Sequence, residues 1–326
     1  MKQPLRILTW HVHGSYLWYL SHVPHEIVMP IREGRPEGYG GRLPGFAWPD
    51  NLSEVPAEAV KDMQFDAVLT QSHRNWTIDR HEILSAEQLR LPRLHLEHDP
   101  PLMHPTEERH PVDDPGALLV HVTAFNELMW DSGRTPTRVI EHGVTVPDDA
   151  VWTGERPRGI TVVNDLPTRG RRIGADVFQR ARDAVPLDLL GMGSTAMGGL
   201  GQVPLADLPY RLADYRFFFN PIRYTSLGLA VCEAMMAGLP IVGLATTEMS
   251  SAVENGVSGW VDTREHVLHD HMRRLIADPA EARMLSQGAA RIARQRFGID
   301  RFVADWCDAL AEVTGIRPIE RMAAHA

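Results

Sequence analysis

Two cysteines in 326 residues, Cys232 and Cys307, are too few for a disulfide framework or a cysteine-built zinc site, and a reducing cytoplasm suits them. Lysine is nearly missing as well: Lys2 and Lys61 stand alone, and arginine carries almost all of the positive charge. No long basic run occurs and the net charge is -9, which argues against a nucleic-acid footprint but leaves room for a local anion site. The opening MKQPLRILTWHVHG has too short an apolar run for a signal peptide, and no stretch approaches a membrane helix in length. Neither an internal repeat nor a low-complexity tract is present. The expectation is a soluble cytoplasmic chain, compatible with peripheral contact at the inner face of the membrane. What is present is a globular composition, 44% hydrophobic and 23% charged, in a chain long enough for two domains.

Short apolar runs alternate with longer amphipathic stretches. Residues 5–12, 26–30, 65–71, 93–97, 117–123 and 137–140 read as strands, and 123–131 has helical spacing. Residues 144–158, VTVPDDAVWTGERPR, break the pattern with Pro, Asp and Gly and read as an interdomain linker. A second series follows: strands at 159–163, 187–190, 217–219 and 240–244, and helices at 173–184, 205–212 and 228–237. The tail from Glu281 to Val313 is helical with a break near Gly298. Such alternation predicts two α/β halves with mostly parallel sheets and a ligand cleft between them.

The segment SLGLAVCEAMMAGLPIVG, Ser226–Gly243, is dense in small and apolar residues and carries one charge, Glu233. It follows a polar loop, Ile-Arg-Tyr-Thr-Ser, in which Thr225 or Ser226 suits a helix N-cap. Gly228 lets a ligand approach the backbone, and the amides near Leu227, Gly228 and Leu229 would form an anion site at the positive end of the helix dipole. Gly238 and Pro240 stop the helix. Glu233 lies one turn after Leu229 on the same face, and helical side chains lean toward the N-terminus. Its carboxylate therefore suits sugar hydroxyls beside a bound phosphate; the alternative is a carboxylate at a solvated edge, paired with an arginine.

The run from Phe219 to Asp262 resembles the donor-binding segment of retaining glycosyltransferases of family four, which have the GT-B fold. The family pattern is P-S-x-x-E-G-F-G-L-x-x-x-E-A-M-A-x-G-x-P-V-V followed by Gly-x-x-Gly. The chain matches it at Gly228-Leu229, Glu233-Ala234-Met235, Gly238, Pro240 and Gly256-x-x-Gly259. Thr161–Gly170, TVVNDLPTRG, is similar to the family's V-G-R-L-x-x-x-K-G turn, and residues 139–144 are similar to its I-P-N-G-V turn. The resemblance is specific over residues 137–300 and only architectural before them. It implies two Rossmann-like domains facing across a cleft: an acceptor-binding domain, 1–145, with a terminal helix (about 301–326) crossing back to it, and a donor-binding domain, 146–300.

The resemblance also implies roles. Glu233 would hold the ribose of a nucleotide diphosphate sugar, amides of Leu227 to Leu229 the diphosphate, and Arg169, with Arg172, its charge. Tyr224, Thr225, Ser226, Gly228 and Asn164 fall in the same loops, and Val203 beside the base. Two departures stand out. The first Glu of the family's E-x7-E pair is Thr225 here, so recognition of the transferred sugar differs, and the family's Arg is Asn164, a loss that Arg171 and Arg172 would offset. In the N-terminal half His98 matches a histidine that faces the donor sugar, and Gly14 and Ser15 a turn near the diphosphate. Ser72–Trp76 reads as an exposed loop beside the acceptor, and Gly191–Gly201 as a flexible turn, since it lacks a P-loop's Lys-Ser/Thr ending.

The implied reaction is sugar transfer to the hydroxyl of an alcohol, glycan or glycolipid, with retention of configuration and no metal or other cofactor; oligomeric state is undetermined. Other readings are a nucleotide-sugar epimerase of the same fold, an inactive nucleotide-sugar-binding protein, for which Thr225 argues, and a metal-dependent hydrolase built on His11 and His13, which lacks a clear carboxylate partner set.

Overall fold

The computed structural model describes residues 4–12 and 14–316. By internal contacts the chain divides into two units, one reaching to Glu141 and resuming at Ile299, the other His142–Gly298.

Unit 1 is built on a seven-stranded, wholly parallel sheet of order β3-β2-β1-β4-β5-β6-β7. In chain order its elements are β1 (Arg6–Thr9), α1 (Gly14–Leu20), β2 (Glu26–Ile31), β3 (Leu52–Pro56), β4 (Ala67–Thr70), α2 (Arg80–Ile83), β5 (Arg93–Glu97), β6 (Ala117–His121), α3 (Ala124–Met129) and β7 (Thr137–Val139). α1 and β3 are not foreseen from the sequence. β3 is an edge strand, short and proline-terminated, so its alternation is weak. Ser72–Trp76 is not an exposed loop: it winds into a π-helical turn, Asn75–Asp79, and Trp76 is buried beneath the Arg80 guanidinium, 3.7 Å from its ring centroid.

Unit 2 carries a five-stranded parallel sheet of order β12-β11-β10-β8-β9. Its elements are β8 (Arg156–Val162), α4 (Leu166–Ile173), α5 (Ala175–Ala184), β9 (Leu187–Leu190), α6 (Leu208–Ala213), β10 (Tyr215–Asn220), α7 (Leu229–Met236), β11 (Ile241–Leu244), α8 (Met249–Ala252), β12 (Gly259–Asp262), α9 (Glu265–Ala277) and α10 (Pro279–Arg296). The supposed linker 144–158 runs into β8, because Arg156 pairs with Tyr215. β10 reads YRFFFN and is buried at every position, as a central strand flanked on both sides should be. α7 is buried over almost its whole length, not on one side only, since α10 packs across it as the sheet does. It ends in a Schellman turn: Leu239 N–H donates to Ala234 O at 2.8 Å and Gly238 N–H to Met235 O at 3.0 Å, with Gly238 at φ 91°. α10 starts at Asp278, whose carboxylate accepts from the amides of Ala280 and Glu281.

The two ends of unit 2 lie side by side, Val144 N–H donating to Phe297 O at 2.8 Å and Val144 bridging to Gly298. The last helix, α11 (Ile299–Thr314), packs in unit 1 through the apolar stripe of Phe302, Trp306 and Leu310, all buried. Trp306 Nε1 donates to the Tyr16 hydroxyl at 3.2 Å, and Phe302 meets the Tyr16 ring edge-on at 5.6 Å. Residues 317–326 lie outside the described residues.

Candidate functional site

An open parallel sheet binds its ligand at the carboxyl ends of the strands where strand order reverses. In unit 2 the reversal falls between β8 and β10. The loops leaving those strands are residues 163–165, which open α4, and residues 221–228, which open α7. These are the two segments that the sequence reading selects in this half.

The loops are tied together. Arg223 and Tyr224 N–H groups both donate to the Arg172 carbonyl, at 3.0 and 3.2 Å. A Cβ on Gly174 would meet the Pro221 carbonyl oxygen at 2.0 Å, so only glycine permits the approach. Arg223 grips Asp176 with two bonds of 2.6 and 2.8 Å, Arg171 adds one of 2.8 Å, and Arg180 one of 3.2 Å. The bond from Arg223 leads in holding the Asp176 carboxyl far below the usual carboxylate range. Arg171 thus pairs with Asp176 from an exposed position. Asn164 itself accepts from Met192 N–H at 2.9 Å and pins the glycine-rich turn.

That turn is closed by hydrogen bonds. Gly191 N–H donates to Gly201 O at 2.9 Å, Gly201 N–H to Ser194 Oγ at 3.0 Å, and Ser194–Met197 is a single 3-10 turn. Val203 follows it in irregular structure, half-buried.

Two arginines at the reversal remain uncommitted. Arg169 is exposed and its side chain enters no ion pair among the described residues. Arg172 is half-buried, and its Nη1 is shielded from solvent without a hydrogen-bond partner. A buried guanidinium nitrogen with no acceptor is costly, and a bound anion would satisfy it.

The N-cap of α7 is Gly228, not Thr225 or Ser226, and no side chain caps the helix. The loop stays extended through Gly228, at φ -70° and ψ 138°, so the helix begins later than either hydroxyl can reach. The first amides of a helix have no acceptor within it. A Cβ on Gly228 would meet no atom within 4 Å, and its φ does not demand glycine. The space beside Gly228, at the start of α7, is open, and of the first amides Val231 N–H bonds back to the Gly228 carbonyl at 3.0 Å. Ser226 and Leu227 are buried; Tyr224, Thr225 and Leu229 are half-buried. Glu233 is 5% exposed, so it does not sit at a solvated edge.

His142 is the residue that sequence reasoning missed here. Buried, it donates Nε2–H to the Leu227 carbonyl at 2.6 Å and so fixes the loop just before the open amides. The Glu-His-Gly-Val turn that contains it was the available signal. Removing the ring in His142→Ala strands a buried carbonyl, so unit 2 is expected to lose about 1–3 kcal/mol of stability, measured by urea unfolding.

In unit 1 the reversal lies between β1 and β4. Gln71, also unforeseen, closes it: its Nε2 donates to Thr9 Oγ1 and Trp10 O, both at 2.9 Å, and its Oε1 lies 3.3 Å from His98 Nε2. His98 follows β5 and meets the Tyr16 ring edge-on at 4.8 Å. Gly14 opens α1, and Ser15 is half-buried in its first turn. A cavity of ≈ 720 Å³ opens at the other, amino end of these strands, against Arg6, Glu26 and Asp66, away from the ligand end of such a sheet. His11 is buried with Nδ1 bonded to Gly41 O, and His13 lies outside the described residues. One group of metal-ligating type does occur, His95, Glu97 and His110. Burial, then neighbouring imidazoles, hold His95 well below its ordinary value; burial and His110 push His121, beside the group, down to about 3.

Among the described residues, no helix is long and apolar enough to cross a membrane.

Residues 187–278 match the family model described as glycosyl transferases group 1. A D-inositol 3-phosphate glycosyltransferase of Salinispora tropica is 38% identical over 231 residues, 56% of this chain and 47% of the relative. One of Xylanimonas cellulosilytica is 34% identical over 111 residues, 33% of this chain and 26% of the relative. The chain thus spans less than half the length of the curated relatives that it matches. Among solved structures, a sucrose-phosphate synthase from Thermosynechococcus elongatus superposes with TM-score 0.69 at 15% identity, over 96% of this chain and 100% of that one. Anabaena HepE in complex with UDP and glucose superposes with TM-score 0.64 at 14% identity, over 94% and 99%. The chain therefore has the two-sheet GT-B fold, and residues 187–278 match the group 1 glycosyl transferase model.

Proposed function

We propose that this chain is a glycosyltransferase that moves a sugar from a nucleoside diphosphate sugar to an acceptor hydroxyl. The observation that carries the reading is the uncapped, open amide end of α7 at the strand reversal, tied to a loop whose Arg172 Nη1 has no acceptor. Such a site fits a diphosphate. The group 1 match over residues 187–278 and the UDP held by HepE support a nucleotide ligand.

In this reading Arg169 and Arg172 neutralise the diphosphate and Glu233 accepts from the ribose hydroxyls. Val203 borders the base. Thr225, uncharged where the family has a carboxylate, gives the transferred sugar a different contact. On the family resemblance alone, His98 is proposed for the sugar, and Gly14 and Ser15 for the diphosphate. Negative charge grows on the leaving diphosphate in the transition state, and preorganised amides and guanidinium groups stabilise it there. Retention of configuration is proposed on the family resemblance, as are a glycan, glycolipid or simple alcohol acceptor, independence of metal in the transfer, and a cytoplasmic setting.

A thermal-shift series with UDP, GDP, dTDP and ADP and their sugars tests the reading. Ligand at 100 times Kd should add about 2.7 kcal/mol of stability. One nucleotide is expected to shift the melting temperature, and the shift should vanish in Arg172→Ala and Glu233→Ala. No shift with any nucleotide would sink the proposal.

A further inference from the structure

Unit 1 buries a polar cluster that the transfer reaction does not use. His95 and Glu97 are two apart on β5 and so share a face of the sheet. Glu97 is in register with His121 of β6, which leaves the same face. His110, from the β5–β6 connection, brings its ring to 5.2 Å from that of His95 and 6.3 Å from that of His121. All three histidines are at most 2% exposed. Three ring nitrogens among them have no hydrogen-bond partner: Nε2 of His95 and both nitrogens of His121.

The hydrogen bonds fix which atoms are available. Thr70 Oγ1 donates to the Leu94 carbonyl at 3.2 Å, so it accepts from His95 Nδ1–H at 2.8 Å. The lone pair of His95 is therefore on Nε2, the nitrogen without a partner. A hydrogen-bonded second nitrogen is the usual way a ligand histidine is oriented. His110 Nε2 lies 3.0 Å from Glu97 Oε2. One ligand atom each of His95, Glu97 and His110 lies within 4.8 Å of the others.

We propose that His95, Glu97 and His110 bind a divalent transition cation, zinc in preference, with His121 bordering the fourth position. Two imidazoles and one carboxylate suit zinc better than calcium or magnesium, which favour all-oxygen sets. With Zn–N of about 2.0–2.1 Å, tetrahedral ligands sit about 3.3 Å apart. The Glu97–His110 pair is already that close, and His95 has to close from 4.8 Å at most. At present Val112 N–H donates to His110 Nδ1 at 3.1 Å, which puts the ring proton on Nε2, toward Glu97. Loading moves that proton to Nδ1, a tautomer change with no net proton release, at the cost of the Val112 N–H bond, which the metal–ligand bonds have to outweigh. The Glu97 side chain, 19% exposed, is the entry side. The ion would tie the β5–β6 connection to the sheet.

The test uses the full chain without a polyhistidine tag, stripped with a chelator and titrated with zinc alone. Stoichiometric uptake, a raised melting temperature, and loss of both in Glu97→Gln are expected. Glu97→Gln keeps an acceptor for His110, and circular dichroism checks its fold. Thr70→Val, which removes the His95 orienter, should weaken binding by about 10- to 100-fold. No uptake at micromolar zinc, or equal uptake by the parent and Glu97→Gln, would overturn the proposal.

Discussion

The Gly228→Val variant is expected to melt with the parent and to bind a nucleoside diphosphate about 10- to 100-fold more weakly. The first half follows from backbone and space. Gly228 sits at φ -70° and ψ 138°, where valine is comfortable, and an added Cβ meets nothing within 4 Å. The second half follows from what occupies that space in the proposed complex. A branched side chain would stand over the first amides of α7 and keep phosphate oxygens away from them. Hydrogen bonds to a charged group are worth about 1.5–3 kcal/mol each, so losing one accounts for the stated range. Calorimetric titration beside a melting curve checks both halves. A variant that binds like the parent would remove the amide end of α7 from the site. One that melts early would show that glycine serves the fold there, as it does at Gly174, where a Cβ would strike the Pro221 carbonyl.

Trp306→Ala should cost about 3–5 kcal/mol, and the loss should appear in the unfolding of unit 1. Trp306 is fully buried, and its indole packs against Phe302 at 6.4 Å between centroids and donates to Tyr16. α11 is further held at Arg138, which pairs with Glu312 at 2.6 Å, and at the Glu141 carbonyl, which accepts from Arg301 at 3.0 Å. Those ties are surface or half-buried and worth about 1 kcal/mol or less each, so the indole dominates. Two-step urea unfolding, followed by a probe in each unit, measures the change. Trp306→Phe keeps most of the apolar contact and gives up the hydrogen bond, so about 1 kcal/mol is expected from that term. Equal losses in both units, or none, would mean that α11 is not anchored through this side chain.

The elements of unit 2 around the strand reversal were legible in the sequence because their signals are local. The apolar run of β10, the Gly-Leu opening of α7 and its Gly-x-Pro stop each sit within a few residues. The position of those elements at the strand reversal was implied by parallel-sheet topology alone. Other features needed the third dimension. β3 is a short edge strand of five residues whose burial does not alternate cleanly and which ends in a proline, after a long irregular loop. The fate of Arg171 depended on Asp176, a helix away, and could not be separated from that of Arg172 by reading Gly-Arg-Arg. Gln71, His142 and the His95–Glu97–His110 group draw their meaning from partners far along the chain. Alternation in Arg-Leu-His-Leu-Glu marks the face that His95 and Glu97 share, but nothing in sequence brings His110 to them.

The adjacency of Val144 and Gly298 has a practical consequence. A unit that leaves and rejoins its host at neighbouring points is topologically an insert. Residues 142–298 form a removable cassette, and a short bridge of a few residues could rejoin Glu141 to Ile299 without stretching either end. Unit 1 could then be prepared as one continuous chain, with α11 still attached. Exchanging the cassette between relatives would transplant nucleotide choice, under the proposed assignment, while leaving acceptor choice with the host.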